Sequence, residues 1–168
     1  FSLTFSRPMD SKSVEDNIKI DPPLAGKMSW AGRRMVYTLM TPAPYGTTYK
    51  VQLEAAKDKF SEQEGKNRQI QPFTGSFRTR DRVILYVGAD EQDKGRLVLY
   101  NLTQQQKKVL TPKDLLVMDF KPFPNGDKIL FSARKVGSQD LLSSQLYTVT
   151  TGISAQSETQ AEAPGRVD

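Results

Sequence analysis

Phe5-Ser6-Arg7-Pro8-Met9-Asp10 is the stretch that decides how the first half of the chain is built. An extended run, Ser2-Leu3-Thr4-Phe5, meets a proline here. Proline fixes φ and removes a backbone donor, so the strand ends at Ser6 and the chain must turn. Beyond the turn, Ser13 stands as an N-cap with Asp16 three residues on. That spacing predicts a single helical turn within 11–17 before Ile18-Lys19-Ile20 extends again.

Working outward, Asp21-Pro22-Pro23 cannot be a central strand, because two successive residues lack a backbone donor. Residues 27–30 and 33–40 read as the arms of a hairpin around Ala31-Gly32, with Met35, Tyr37 and Leu39 on one face and Arg34, Val36 and Thr38 on the other. Trp30 is expected to fill the core or its edge rather than to stack on a sugar, since a ligand platform usually comes with more exposed aromatics. After the turn at 42–46, residues 47–54 alternate cleanly: Thr47, Tyr49, Val51 and Leu53 inward, Thr48, Lys50, Gln52 and Glu54 outward. The polar segment 54–72 is long for a hairpin loop, and Glu54 to Phe60 are expected to form one or two helical turns. Residues 73–79 then close the sheet.

Taken together, FSRPMD, SVEDNIKIDP, YGTTYKV and the Phe77-Arg78-Thr79 triplet resemble the bacterial Ig-like domain of the S-layer-protein SbsA type, over about residues 1–80. Lys57-Asp58 and Gly65 match in style the A-K-D-x-x-G-N segment ahead of that family's last strand, with Phe60 and an insertion between them. The resemblance implies an Ig-like sandwich whose first strand, some way ahead of the FSRPMD turn, is either cut off here or replaced by another segment.

From Arg82 the pattern changes to near-continuous apolar runs, Val83-Ile84-Leu85-Tyr86-Val87 and Leu97-Val98-Leu99-Tyr100, which suit strands covered on both faces. There is an internal echo: residues 82–89 resemble 127–134 at a shift of 45, and 99–103 resemble 146–150 at a shift of 47. A period of this size is what a four-stranded propeller blade produces. Phe120-Lys121-Pro122-Phe123-Pro124-Asn125-Gly126-Asp127-Lys128-Ile129 resembles the F-S-P-D-G-K-x-I turn of the TolB-type, WD40-like repeat, with Phe123 in place of serine. About one and a half repeats are expected, the first without a strand ahead of it and the second without a fourth behind. The fold class is therefore all-β, an Ig-like β-sandwich at 1–80 followed by a partial β-propeller-like set of antiparallel strands at 81–151. Residues 152–168, polar and almost free of large apolar side chains, are expected to be a disordered tail or linker.

The composition limits the chemistry. Cysteine and histidine are both absent from the 168 residues, which removes disulfides, thiolate and imidazole metal ligands, and Ser-His-Asp or Cys-His catalysis. Carboxylates, lysine and tyrosine remain. Of 24 Lys+Arg and 19 Asp+Glu, residues 1–80 hold 13 and 8 and the rest hold 11 and 11, so the surplus of +5 lies in the first half. A surplus that mild reads as a solvated mixed surface. No apolar run is long enough to span a membrane, about 18 residues. The chain reads as an excised piece, with any signal peptide or anchor expected upstream of Phe1.

Arg78, Arg80 and Arg82 alternate along one extended run and, with Arg33 and Arg34, form the best candidate for an anion-binding ridge. Without interleaved aromatics to stack bases, nucleic acid is not an expected partner. Asp90, Glu91 and Asp93 lack the spacing of a calcium loop and read as a solvated hairpin tip. Asn101-Leu102-Thr103 has the form of a glycosylation sequon but falls in a predicted strand, and Asp119, the one acid in an apolar run, is expected to cap a turn. No catalytic residue, cofactor or metal site is nominated.

What the resemblance implies is a non-enzymatic binding or scaffold module of a bacterial envelope protein, outside the cytoplasm at the periplasm or cell surface, that contacts a protein partner and can self-associate through open sheet edges. One alternative is the N-terminal scaffold of a propeller enzyme or carbohydrate-binding protein whose site lies elsewhere. A further alternative is a binder of anionic polymers through the arginines.

Overall fold

The computed structural model describes every residue except 62–64, 66–67, 141 and 155–159. The protein is all-β: among the described residues, twelve strands form four three-stranded antiparallel sheets, none of them closed, with one short helix. It divides into two compact units, Phe1–Arg80 and Asp81–Asp168.

The first unit is a sandwich of two sheets. One has the order β1-β4-β3, from β1 (Ser2–Thr4), β3 (Gly26–Ala31) and β4 (Arg34–Leu39). The other has the order β2-β5-β6, from β2 (Ile18–Asp21), β5 (Thr48–Leu53) and β6 (Phe73–Arg78). The β3–β4 hairpin turns at Gly32, whose φ of 59° lies in the left-handed region that glycine reaches without a Cβ penalty. Tyr49, Val51 and Leu53 of β5 are buried as the alternation requires, and so are Met35 and Tyr37 of β4; Leu39, expected on the same face, is exposed. A row of rings bridges the two sheets. Tyr37 stacks on Phe1 with centroids 5.1 Å apart, Phe1 meets Phe77 at 5.4 Å, and Phe77 stacks on Tyr49 at 5.3 Å.

Two local expectations for this unit are corrected. The helix α1 (Ser11–Asn17) begins earlier than the Ser13-Asp16 spacing implies, because Asp10 is its N-cap: Oδ1 accepts from the Lys12 and Ser13 amides at 3.0 and 3.3 Å. Ser13 instead uses its Oγ to accept the Lys57 amide at 2.8 Å. Helical turns are also absent from 54–60. Lys57 and Asp58 form isolated β-bridges to Gln69 and Met9, so the backbone there is held by long-range pairing that local propensity cannot reveal.

The second unit stacks two antiparallel meanders. The sheet β7-β8-β9 comprises β7 (Val83–Val87), β8 (Leu97–Asn101) and β9 (Gln106–Val109), and β10-β11-β12 comprises β10 (Leu115–Pro122), β11 (Lys128–Lys135) and β12 (Gln145–Thr150). Their shared core holds Leu97, Leu99, Leu110, Val117, Ile129, Phe131 and Val149, with Val83, Leu85 and Val87 packed against it. A bulge between Val117 and Asp119 turns both Met118 and Asp119 outward, and Asp119 bonds the adjacent Phe120 amide rather than capping a turn. The expectation of two-sided coverage holds for β8, where Leu97, Val98 and Leu99 are all buried. It fails for β7, which alternates, with Ile84 and Tyr86 exposed.

Of 152–168, expected to be a disordered tail or linker, 155–159 lie outside the described residues and 165–168 are paired with β12. Asp168 and Thr148 exchange two backbone hydrogen bonds, 2.8 and 2.9 Å, the Thr150 amide donates to the Arg166 carbonyl at 3.1 Å, and Val167 bridges Val149. Residues 165–168 thus pair with the β12 edge around an isolated bridge, while Val167 packs against the core. Backbone pairing with an open edge orders this polar segment where side-chain burial alone would not.

Candidate functional site

In the first unit, the turn at Pro8 and the isolated bridge between Met9 and Asp58 bring three distant segments together. The Asp10 amide donates to the Lys57 carbonyl at 3.1 Å and the Lys59 amide to the Pro8 carbonyl at 3.0 Å, so 8–10 and 57–59 run as a two-stranded ribbon. Arg7 lies 3.8 Å from the buried Asp58 carboxylate and closes one end. Beside this ribbon lies an open cleft of about 470 Å³ lined by Pro8, Met9, Asp10, Ser11, Trp30, Gly32 and Lys59.

The polar groups of the cleft are largely engaged by the protein. Asp10 caps α1, and Trp30 donates its indole N–H to Glu15 Oε1 at 3.2 Å while its ring stacks on Phe5 with centroids 5.9 Å apart. Trp30 packs at the edge of the small core formed by Met9, Val14, Leu53 and Ala56, as expected for a structural tryptophan. What the cleft offers a ligand is the apolar surface of Pro8, Met9 and Trp30 next to the exposed Asp10, Ser11 and Lys59. That combination suits recognition through contact and charge.

Comparison with known protein families, with curated proteins and with solved structures finds no match.

The arginines named from the sequence are spread over separate elements. Arg33 and Arg34 sit at the β3–β4 turn, where Arg33 Nη1 donates to the Ser6 carbonyl at 3.1 Å and Arg34 Nη2 to Ser2 Oγ at 3.3 Å. Arg78 ends β6 opposite Thr48, in the other sheet, and Arg80 closes the same unit with its carbonyl accepting the Gly46 amide. Arg82 belongs to the second unit, where its amide donates to Thr103 Oγ1 at 2.9 Å. All five are exposed, and Arg33 and Arg34 bond Ser6 and Ser2 beside their own hairpin.

In the second unit, the acidic loop is organised by a cation of the protein. Asp90 Oδ1 accepts the Asp93 amide at 3.2 Å, and the buried Asp93 carboxylate pairs with Lys107 of β9. The hydrogen bond to Asp93 raises the Lys107 pKa from 10.5, which holds the ammonium charged. Among the described residues no group of three or more acidic side chains is placed to hold a metal ion. Asn101 of the sequon ends β8, and its Nδ2 donates to Asp81 Oδ2 at 2.8 Å.

The cleft beside Trp30 was not legible in the sequence, because Met9, Trp30 and Lys59 share no local pattern and meet only through long-range pairing.

Proposed function

We propose that the chain is a non-enzymatic, extracytoplasmic binding and scaffold module of a bacterial envelope protein, an Ig-like sandwich leading into propeller-type sheets, which contacts a protein partner through the Trp30 cleft. The observation that carries this reading is the state of that cleft: Asp10 Oδ1 and the indole N–H are tied to the protein's own framework, and Pro8, Met9 and the Trp30 ring line it together with Ser11 and the Lys59 ammonium.

The test is site-specific photocrosslinking in intact cells from Lys59 and, as a control, from the exposed Lys19 on β2. Crosslinks from Lys59 alone to envelope proteins, lost on Trp30→Ala, are expected. Partners confined to the cytosol, or turnover of a substrate by this 168-residue chain, would overturn the reading. The second reading, a scaffold for a propeller enzyme or carbohydrate-binding protein, draws on the repeated meander sheets of the second unit. Turnover or glycan binding by a longer form of the protein, without crosslinks from Lys59, would favour it.

A further inference from the structure

The two sheets of the second unit end in four strand edges, and three of these are blunted. The β12 edge is paired with residues 165–168. β10 carries a bulge, Asp119, Lys121 and Pro122, and its Val117 amide is already bonded to the Gly95 carbonyl at 2.8 Å. β9 is short and contains Lys107 and Lys108. These are devices by which sheet proteins keep open edges from pairing with other chains. β7 has none of them. Val83-Ile84-Leu85-Tyr86-Val87 contains no charge, no proline and no bulge, and among the described residues no strand lies on its outer side.

The backbone bonds show which residues serve that edge. The Arg82 carbonyl accepts the Leu102 amide and the Gly88 amide donates to the Arg96 carbonyl, both at 2.8 Å. In an antiparallel ladder the bonding direction alternates along the strand, so Ile84 and Tyr86 bond β8 while Val83, Leu85 and Val87 turn N–H and C=O outward. The side chains of these three face the core yet stay half-buried, although Leu97 and Leu99 beside them on β8 are buried. An apolar cavity of about 310 Å³ adjoins Val83 and Leu85, lined also by Phe120 and Pro122 of the facing sheet. The core is thus unfinished along β7. On the opposite face of the same strand, Ile84 and Tyr86 are 46% and 36% exposed.

We propose that the β7 edge pairs antiparallel with the β7 edge of a second copy of the chain, about a two-fold axis at Leu85. Register and charge select this occupant. With Leu85 opposite its own counterpart, Val83 faces Val87 of the second copy, and every outward N–H and C=O of the strand finds a partner. The same register sets Ile84 directly opposite Tyr86 of the second copy, and Tyr86 opposite its Ile84, at non-hydrogen-bonded positions where side chains lie closest. One pairing therefore covers both exposed apolar residues. Arg82 precedes the strand and Asp90 and Glu91 follow it, all of them exposed. Antiparallel pairing brings the basic end of each strand to the acidic end of the other, whereas parallel pairing would set like charges together. Because the contact is isologous, it closes at the dimer. This goes beyond the reading of the Trp30 cleft and does not depend on it.

Sedimentation velocity on the 168-residue chain tests the pairing with two variants, Ile84→Lys and Tyr86→Glu. The wild type should pass from monomer to dimer, and no further, as its concentration rises. Each variant alone should raise the dissociation constant about tenfold, since both cross-strand pairs are lost. Mixing the variants should return it toward the wild-type value, because in the mixed dimer one pair is the native Ile84 with Tyr86 and the other sets the introduced lysine against the introduced glutamate. Amide exchange locates the contact. Raising the wild-type concentration should slow exchange at Val83, Leu85 and Val87 and leave Ile84 and Tyr86, already bonded to β8, unchanged. A wild type that stays monomeric at millimolar concentration, growth beyond the dimer, or a mixture no tighter than its components would refute the proposal, as would protection arising elsewhere instead of within 83–87. Should either variant fail to fold, the exchange pattern of the wild type decides by itself.

Discussion

Tyr49 of β5 and Phe77 of β6 stand directly opposite each other and stack, with ring centroids 5.3 Å apart and planes inclined at 22°. Cross-strand aromatic pairs of this kind contribute to sheet stability, and here the pair also ties the two sheets together, since Phe77 touches Phe1 and Phe1 stacks on Tyr37 of the facing sheet. Tyr49 is fully buried. Truncating it removes a ring from the middle of this row. Tyr49→Ala should therefore destabilise the first unit by about 3 to 5 kcal/mol, the cost of deleting a buried ring. Urea unfolding followed through Trp30, the sole tryptophan, reports on this unit directly, and an unchanged midpoint would mean that the ring is not part of the core.

The Lys107–Asp93 pair makes a prediction about pH. The lysine pKa is raised in the folded state by the hydrogen bond to Asp93. Its contribution is therefore fully present below the unfolded value of about 10.5 and is lost as pH climbs through the folded value above it. Stability of the second unit should fall over that alkaline range in the wild type. Lys107→Met should flatten that part of the curve, whereas equal slopes in the two proteins would show that the pair does not form.

Gly88 holds the same loop from beneath. A Cβ placed there would lie 2.3 Å from the Asp93 carbonyl oxygen and 2.7 Å from Asp93 Cβ, a collision largely with backbone. Gly88→Ala should cost about 1 to 3 kcal/mol, the usual range for overpacking. It should also return the Lys107 pKa toward 10.5, because the displaced carboxylate no longer reaches the ammonium. Titration of the Lys107 side chain by NMR checks the coupling, and a full upward shift in the variant would contradict it.

What could be read in advance was whatever is encoded over a few neighbouring residues. Tyr49, Val51 and Leu53 declare their face by alternation, and Gly32 declares its turn by needing positive φ. The Asp10 cap was missed because Ser13 offers a similar local signal, and only the observed bonds show that Ser13 Oγ is engaged by Lys57. The ribbon between 8–10 and 57–59, and with it the cleft, depends on backbone pairing between segments almost fifty positions apart. Such pairing leaves no periodicity to find. The arginines alternated in sequence as expected, but alternation along one run says nothing about the hydrogen bonds that Arg33 and Arg34 make beside their own turn.

The C-terminal segment shows the same limit and yields the last prediction. Residues 165–168 contribute one apolar side chain, Val167, and a set of backbone bonds to Thr148 and Thr150. Bonds of this type contribute about 1 kcal/mol each, while ordering each residue costs about 1 to 2 kcal/mol of backbone entropy. These terms nearly cancel over so short a strand. Deleting 165–168 should therefore shift the global unfolding midpoint of the second unit only slightly and should act locally on β12. The amides of Thr148 and Thr150 donate to Asp168 and Arg166 and would lose their acceptors. The neighbouring Tyr147 and Val149 remain paired with Phe131 and Ile129 of β11. Hydrogen exchange should then show an alternating pattern along β12: fast at Thr148 and Thr150, slow at Tyr147 and Val149. Uniform protection in the truncated chain would mean that the segment is not paired with this edge, and uniform loss would mean that it supports the whole sheet rather than its margin.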